Sequence, residues 1–352
     1  METTPAPTLP RVATVLDTVA QFITRYVALP SYNEALVLAA WVIHTHAFEV
    51  AYATPYIYIT SAEPECGKTR TLEVLEYAAR NTTLSSSMSA SSLYRRMMGA
   101  DFARPTLLID EVDALFNGAK NETLRGVLNS GYQRRGTVSI TLPGKDDDSD
   151  VVDLPTFCPK IMAGIDNGNL PPTLASRAIT ITLRRKRPDQ EVQRFLPRKV
   201  EPIADALVET ITEWVKSHME IIEDYEPEFV EGISDRGFEI SEPLLQIAHA
   251  AGIEDEMRAA LTVLLSKPKV TLTQGQQVLQ AARDHFVNND IDRVTTASLE
   301  VATGFNGKLI GSLLSKYEIK PMTLNKINAG KNAKGYYAYQ LQDAIDTYLP
   351  GA

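Results

Sequence analysis

The chain has 352 residues, 44% of them hydrophobic and 22% charged, which is enough for two or three domains with a sizeable core. Two cysteines, Cys66 and Cys158, are too few for a disulfide scaffold and suit a reducing, cytoplasmic compartment. A formal net charge of −9 excludes a surface coated for non-specific nucleic-acid binding, although a local basic groove stays open.

Residues 1–10 are rich in Pro and Thr and read as a frayed end, with no basic residue ahead of an apolar run to suggest a secretory signal. Val12, Val15, Leu16, Val19, Phe22, Ile23 and Tyr26 have helical spacing over 11–27. After Pro30 a nearly all-apolar helix is expected from Ala35 to about Val50, buried on every side and too short to span a bilayer. Residues 55–60 form a core strand that enters a loop at 61–68, followed by a helix from Thr69 to Ala79. A Ser-rich segment, 85–92, leads into a helix carrying Arg95 and Arg96. Further expected elements are a strand at 106–109, a helix near 121–130, a hairpin of 137–142 and 151–157, and strands at 160–165 and 178–183. Buried strands alternating with helices predict a mainly parallel sheet covered on both faces. Residues 200–265 read as helical. Beyond 270, Thr295 to Ser298 could cap a helix, a helix follows over 307–317, and a strand-like run over 334–339 precedes a last helix. That succession suits a winged-helix module. The expected organisation is an N-terminal helical segment (1–50) packing on the core, a P-loop α/β core (51–199), a helical lid (200–268) and a winged-helix-like domain (269–352).

Ala62-Glu63-Pro64-Glu65-Cys66-Gly67-Lys68-Thr69 fits the spacing of a phosphate-binding loop, with Ala in place of the first Gly. Backbone N–H groups of such a loop point at the β-phosphate, and the following helix offers its positive N-terminus. Lys68 supplies a mobile charge to the β- and γ-phosphates, and the Thr69 hydroxyl is a magnesium ligand. A chance Gly-Lys-Thr at a helix start is the competing reading; the strand before, the helix after and a second motif argue against it. Pro64, Glu65, Cys66, Gly67 and Arg70 complete the cradle. Ala62 tolerates positive φ poorly, which bears on the first turn.

The second motif is Leu107-Leu108-Ile109-Asp110-Glu111, two carboxylates at the C-terminal end of a buried strand, where ligands bind in such sheets. Asp110 would hold magnesium and Glu111 would polarise the attacking water. A strand leaving into a polar turn would look the same in isolation. Asp113 reads as a solvating turn residue.

Ala40 to His46, Thr54-Pro55-Tyr56, Cys66 to Arg70, Thr106 to Glu111, Leu128 to Gly131, Leu174 to Arg177, Ser234-Asp235-Arg236, Glu242 to Leu245 and Lys334-Gly335-Tyr336 occur in order. In these the chain resembles an AAA+-like P-loop ATPase family of uncharacterised domains from phages, prophages and plasmids, often fused to or encoded beside primases and usually labelled helicase-like. The resemblance implies an ATP- and Mg2+-dependent ring, a hexamer, acting on DNA in the replication of a mobile element in the bacterial cytoplasm. A primase or another replication protein is the implied partner. It implies a nucleotide between subunits and a neighbour's arginine at the transition state, the place that Arg177 matches; Ser176 stands where the family more often has Asp. Arg236 matches a sensor arginine reaching the γ-phosphate, with a helix-capping pair to Asp235 as the alternative. Asp166 and Asn167 both match the first sensor, and helix 40–46 would pack near the base.

Related ring helicases place a DNA-contacting hairpin where 137–157 lies, with Lys145 as the phosphate contact. Asp146, Asp147, Asp148 and Asp150 follow it, so a solvated acidic turn fits equally, and Arg134 and Arg135 are the alternative cations. Arg184 to Arg187 reads as a solvated run at an edge or subunit seam. Lys308, Lys316, Lys320, Lys326, Lys331 and Lys334, with Tyr336, Tyr337 and Tyr339, would serve either duplex DNA or a protein partner. His44, His46 and His249 read as core histidines, and a loader or regulatory ATPase that unwinds nothing is the rival to a motor.

Overall fold

A computed structural model describes residues 14–86, 104–112, 116, 122–143, 149–165, 170–266, 272–289, 291–328 and 331–349. The chain forms two compact units, Met1–Lys267 and Pro268–Ala352. Among the described residues, no helix is long and apolar enough to cross a membrane.

The first unit opens with helix α1 (Val15–Tyr26). Its N-terminus is fixed by a capping box: Asp17 N donates to Thr14 Oγ1 at 3.2 Å, and Thr14 N donates to the Asp17 carboxylate at 2.8 Å. Leu16, Val19, Phe22, Ile23 and Tyr26 form one apolar face, buried against α2 (Tyr32–Ala47). Helix α2 is buried all round, as its composition requires, and it is tied to the chain ahead of the first strand. Trp41 Nε1 donates to Pro55 O at 3.0 Å, and the His44 ring meets Thr54 Oγ1 at 2.8 Å. Complete burial pushes the His44 pKa down to about 3, so the ring is neutral.

Five parallel strands follow: β1 (Tyr56–Ser61), β2 (Thr82–Ser85), β3 (Thr106–Ile109), β6 (Lys160–Ile165) and β7 (Ala178–Thr182). Their order across the sheet is β2-β3-β6-β1-β7. In register, Tyr56 of β1 lies between Lys160 of β6 and Ala178 of β7, while Ser61 lies beside Ile165. Residues of β1 and β3 are buried throughout, as expected for strands covered on both faces. Strand β2 is an addition to the sequence reading, which placed a Ser-rich segment from 85. Its residues are only half-buried, so no apolar pattern marks it. The helix expected around Arg95 and Arg96, and Asp113, lie outside the described residues.

Helices α3 (Lys68–Glu76) and α4 (Glu122–Ser130) flank this sheet. Strands β4 (Thr137–Pro143) and β5 (Ser149–Pro155) pair as a separate antiparallel hairpin, with Thr137 opposite Pro155 and Pro143 opposite Ser149. Its open end is clasped to the end of α4. Ser130 Oγ and Thr156 Oγ1 are 2.9 Å apart, and Thr156 N donates to Gly136 O at 2.8 Å. Gly136 is required there by contact, since a Cβ would overlap Ser130 O.

A four-residue turn of helix, α5 (Pro172–Ala175), precedes β7. Three helices then complete the unit: α6 (Pro197–Asp224), α7 (Asp235–Ala250) and α8 (Glu254–Leu265). Val200, Ala204, Leu207, Ile211 and Val215 line one face of α6 and join the same core as α1, α2 and the sheet.

The second unit has its own core, built on Val278, Leu279, Leu299, Ile310, Leu314, Tyr336 and Leu341. Its elements are α9 (Gln274–Asn289), β8 (Arg293–Thr295), α10 (Thr296–Thr303), α11 (Gly307–Ser315), β9 (Met322–Asn328), β10 (Lys331–Tyr337) and α12 (Ala338–Tyr348). The strands make an antiparallel sheet in the order β8-β10-β9. Thr295 caps α10 by accepting from Ser298 N at 3.0 Å. The strand expected over 334–339 begins earlier and stops at Tyr337, because Gln340 Oε1 takes the Tyr337 N–H at 2.9 Å and starts α12.

Candidate functional site

Strand β1 leads directly into the loop 62–67 and then into α3. Two residues there adopt left-handed backbone: Glu65 at φ 62° and Gly67 at φ 92°. The residue spared is Ala62, so the loop turns without the first glycine of the usual spacing. Gly67 stands at the N-cap of α3 with no side chain to cap the helix, leaving its first N–H groups to an outside acceptor. Positive φ explains glycine at 67, where a side chain would be strained although space is open.

Lys68 reaches back over this loop. Its Nζ donates to Ser61 Oγ at 2.7 Å and to Glu63 O at 3.4 Å. Thr69 points the other way, and its hydroxyl donates to Asp110 Oδ2 at 2.8 Å. Asp110 is held at the end of β3 by its own N–H, which donates to Ser85 O at 2.9 Å. Its second oxygen accepts from Glu111 N at 2.9 Å, and Glu111 has φ 53°. Glu111 is exposed. The groups from β1 and β3 therefore converge across β6, which lies between those strands. Thr69 and Asp110 offer hard oxygen donors at one point, a set that fits Mg2+. Among the described residues no three His, Cys, Asp or Glu cluster as a metal cage. A magnesium ion here would accordingly take most of its shell from phosphate oxygens and water.

Beside the loop lies a cavity of about 370 Å³, lined by Tyr26, Cys66, Gly67, Arg70, Arg184 and Phe195 among others. Phe195 is pinned edge-on by Tyr26 at 5.3 Å and Tyr77 at 5.6 Å, and the Arg70 guanidinium stacks on its ring at 4.8 Å. Arg70 also pairs with Glu73 at 3.2 Å. Gln193 N donates to Arg25 O at 2.7 Å, which holds the 192–195 segment against the end of α1. Arg185 pairs with Glu65 at 3.5 Å. The basic run 184–187 is exposed, as the sequence suggested, and its Arg184 and Lys186 line the cavity beside the loop. None of residues 40–46 lines this cavity, because α2 is committed to the core.

Arg177 and Arg236 lie elsewhere. Tyr56 N donates to Arg177 O at 3.1 Å, so Arg177 stands at the N-terminal edge of the sheet. Thr54 N donates to Tyr132 O at 2.7 Å, which puts Tyr132 at the same edge. The guanidinium carbons of Arg177 and Arg236 sit 4.6 Å and 4.8 Å from the Tyr132 ring centroid. Arg236 donates to the Tyr132 hydroxyl and pairs with Glu239 at 2.9 Å. Strand β1 runs the full depth of the sheet between this edge and Ser61, about 16 Å at ~3.3 Å per residue. The expectation that Arg236 reaches the γ-phosphate beside Lys68 of its own chain therefore does not fit. Nor does Arg236 pair with Asp235; Glu239 takes that place.

Lys145, Asp166 and Asn167 lie outside the described residues. Arg134 is exposed and ties two of its donors to the fold: Nε donates to Ala51 O at 3.1 Å and Nη2 donates to Glu49 O. Arg135 and Lys334 are exposed. Lys331 lies on β10 opposite Asn328. Tyr336 is buried, whereas Tyr339 is exposed and stacks on Tyr337 at 5.6 Å.

The fold is mixed α/β with a five-stranded parallel sheet, and the polar cluster sits at the sheet's C-terminal edge. A family model described as "Protein of unknown function (DUF3631)" matches residues 182–302. No curated protein matches the sequence. Among solved structures the chain is similar to "The A form apo structure of NrS-1 C terminal region-CTR", with TM-score 0.45 and 11% identity, over 94% of this chain and 78% of that one.

Proposed function

We propose that this chain is a Mg2+-dependent ATPase of the P-loop type. The observation that carries the reading is the meeting at 2.8 Å of Thr69, in the first turn of α3 after β1, and Asp110, just past β3, a strand that is not a neighbour of β1, beside a loop that holds Lys68 at its mouth. Loop N–H groups and Lys68 would grip the β- and γ-phosphates. Thr69 and Asp110 would hold Mg2+, which would supply charge neutralisation to the terminal phosphate. Glu111 would take a proton from the attacking water, and its left-handed backbone is a local strain of the kind found at functional positions. The cavity walled by Tyr26 and Phe195 has apolar rings and room for a base.

The wider reading follows the family resemblance: a ring of copies, six in number, acting as a helicase-like motor on DNA, with a primase or another replication protein as partner. The helix-strand-helix-helix-strand-strand-helix order of the second unit suits a winged helix. Its segment 308–334 carries six lysines against the single carboxylate Glu318, a local positive field in an acidic chain. A non-unwinding loader is the second reading. It is favoured by the commitment of Arg134 to backbone carbonyls and by the four aspartates of 146–150 beside Lys145.

The test is Glu111→Gln. This variant should bind ATP with Mg2+ as the parent does and hydrolyse it at least about a hundredfold more slowly, the scale of a lost general base. Hydrolysis at the parental rate would remove Glu111 as the base, and absence of ATP binding by the parent would remove the reading altogether.

A further inference from the structure

We infer that the second unit binds single-stranded nucleic acid by stacking an unpaired base on Tyr339. This rests on the nucleic-acid reading of that unit given above and narrows it, from duplex DNA or a protein to a single strand and one ring. Tyr339 is a ring that the fold does not use. It is 70% exposed in the first turn of α12, while Tyr336 supplies the buried tyrosine of the core. A lone exposed tyrosine is ordinary. This one is half of a stack: the Tyr337 ring lies 5.6 Å away at 19°, covering one face of Tyr339 and leaving the other to a visitor.

The stack is also held in place. Tyr337 N donates to Gln340 Oε1 at 2.9 Å, Ala338 N to Asp292 O at 2.7 Å, and Gln340 Nε2 to Lys320 O at 3.1 Å. The Tyr339 hydroxyl donates to the Met322 sulfur at 3.5 Å, a weak acceptor, and Met322 is itself exposed. An aromatic face fixed before its ligand arrives loses little freedom on binding. Every base has a π-face, so such a platform takes a strand of any sequence.

Charge around the rings fits a phosphate backbone. Arg293 of β8 stands in register opposite Tyr337 and is exposed, with Asp292 3.9 Å from it. Lys320, two residues ahead of Met322, and Lys334, opposite Thr323, are exposed as well. Cations on both flanks would follow the phosphates on either side of the stacked base. Duplex DNA is served less well. Helix α11 exposes Lys308, Ser312 and Ser315, and carries no arginine, asparagine or glutamine to read a base edge with two bonds. A paired base has both faces covered by its neighbours, which leaves Tyr339 nothing to stack on.

The test removes the ring and the base in turn, on the full-length chain. The parent should bind a strand of about 20 deoxythymidines more tightly than an abasic strand of equal length, and Tyr339→Ala should weaken thymidine-strand binding about tenfold. That variant should bind the abasic strand as the parent does, since only phosphates are then contacted. Tyr339→Phe, which keeps the ring, should restore the affinity. Tyr339→Leu, which keeps bulk without a flat face, should fail as alanine does and replaces it if the alanine variant does not fold. Arg293→Ala should weaken both strands alike and lower the salt slope by about 1. A uridine strand run alongside separates RNA from DNA, and dependence on the ring with either supports the platform. Equal affinity of the parent and Tyr339→Ala for both base-carrying strands would overturn it and leave the rings to a protein partner. So would an equal loss on blunt duplex DNA, which would make Tyr339 part of a duplex surface. A parent that binds none of these strands would remove the nucleic-acid reading of the whole unit, a result distinct from binding that ignores the ring.

Discussion

Lys68 and Lys160 approach the same pair of strands, β1 and β6, from opposite ends. Lys68 follows the C-terminal end of β1 and bonds to one hydroxyl and one loop carbonyl. Lys160 opens β6, is fully buried, and donates to Gly131 O, Thr156 O and Cys158 O at 3.0, 3.1 and 2.9 Å. Its ammonium also lies 4.9 Å from the Tyr56 ring centroid, and desolvation pulls its pKa down. A cation whose three protons are matched by three carbonyls is a structural clasp. A cation that meets only one hydroxyl and one loop carbonyl, beside a glycine-started helix, is the binding group of the proposed function. One residue type serves both, and the difference is set by what is left unmatched around it.

The contrast can be broken in order of size. Lys68→Ala should lower ATP turnover on the order of a thousandfold, the scale of a lost charge-stabilising donor, while thermal unfolding stays near the parental temperature. A matching fall in stability would mean that Lys68 is as structural as Lys160. The converse is expected of Lys160→Ala, which strands three carbonyls at ~1 kcal/mol or more apiece and should cost about 3 kcal/mol in denaturant unfolding. Lys160→Met, which fills the space, should lose less; equal turnover by the folded fraction of both variants would keep Lys160 out of the chemistry.

A pH effect of similar scale sharpens the picture at the same end of the sheet, where His44 meets Thr54 ahead of β1. The ring titrates near 3 when folded and near 6.5 when unfolded. Between those values the unfolded chain binds the extra proton, so stability is lost as pH falls through that window. From pH 7 to pH 5 this group should remove about 2 kcal/mol, at ~1.4 kcal/mol per pH unit below 6.5. Urea unfolding of the parent and His44→Gln at both pH values measures the difference between their slopes; parallel slopes would refute it.

Much of the local structure around Lys68 was legible because its signals are local. A buried strand, Gly67-Lys68-Thr69 and a helix stand in sequence, as do Thr106 to Ile109 and their two carboxylates. Strand β2 escaped because Thr82 to Ser85 are half-buried and carry little apolar pattern. Tyr26, Arg184 and Phe195 escaped because they reach the cavity from separate parts of the chain, joined only by packing. Arg236 shows the limit most clearly. Ser234 caps α7 by accepting from Gly237 N at 3.1 Å, where the sequence reading offered an Arg236–Asp235 pair. Which edge of a distant sheet that helix end would meet depends on Gln133 and Tyr132, and no spacing within 234–245 encodes it.

The clasp at Gly136 has a consequence for redesign of the hairpin. Because Gly136 is held against Ser130 and Thr156, the first residue of β4 starts from a fixed point. Lengthening β4 and β5 in equal steps beyond Pro143 and Ser149 leaves every inward and outward assignment as it is. One residue inserted between Gln133 and Thr137 would exchange the two faces of β4 along its whole length. Grafted sequence belongs at the far end, and the clasped end admits none.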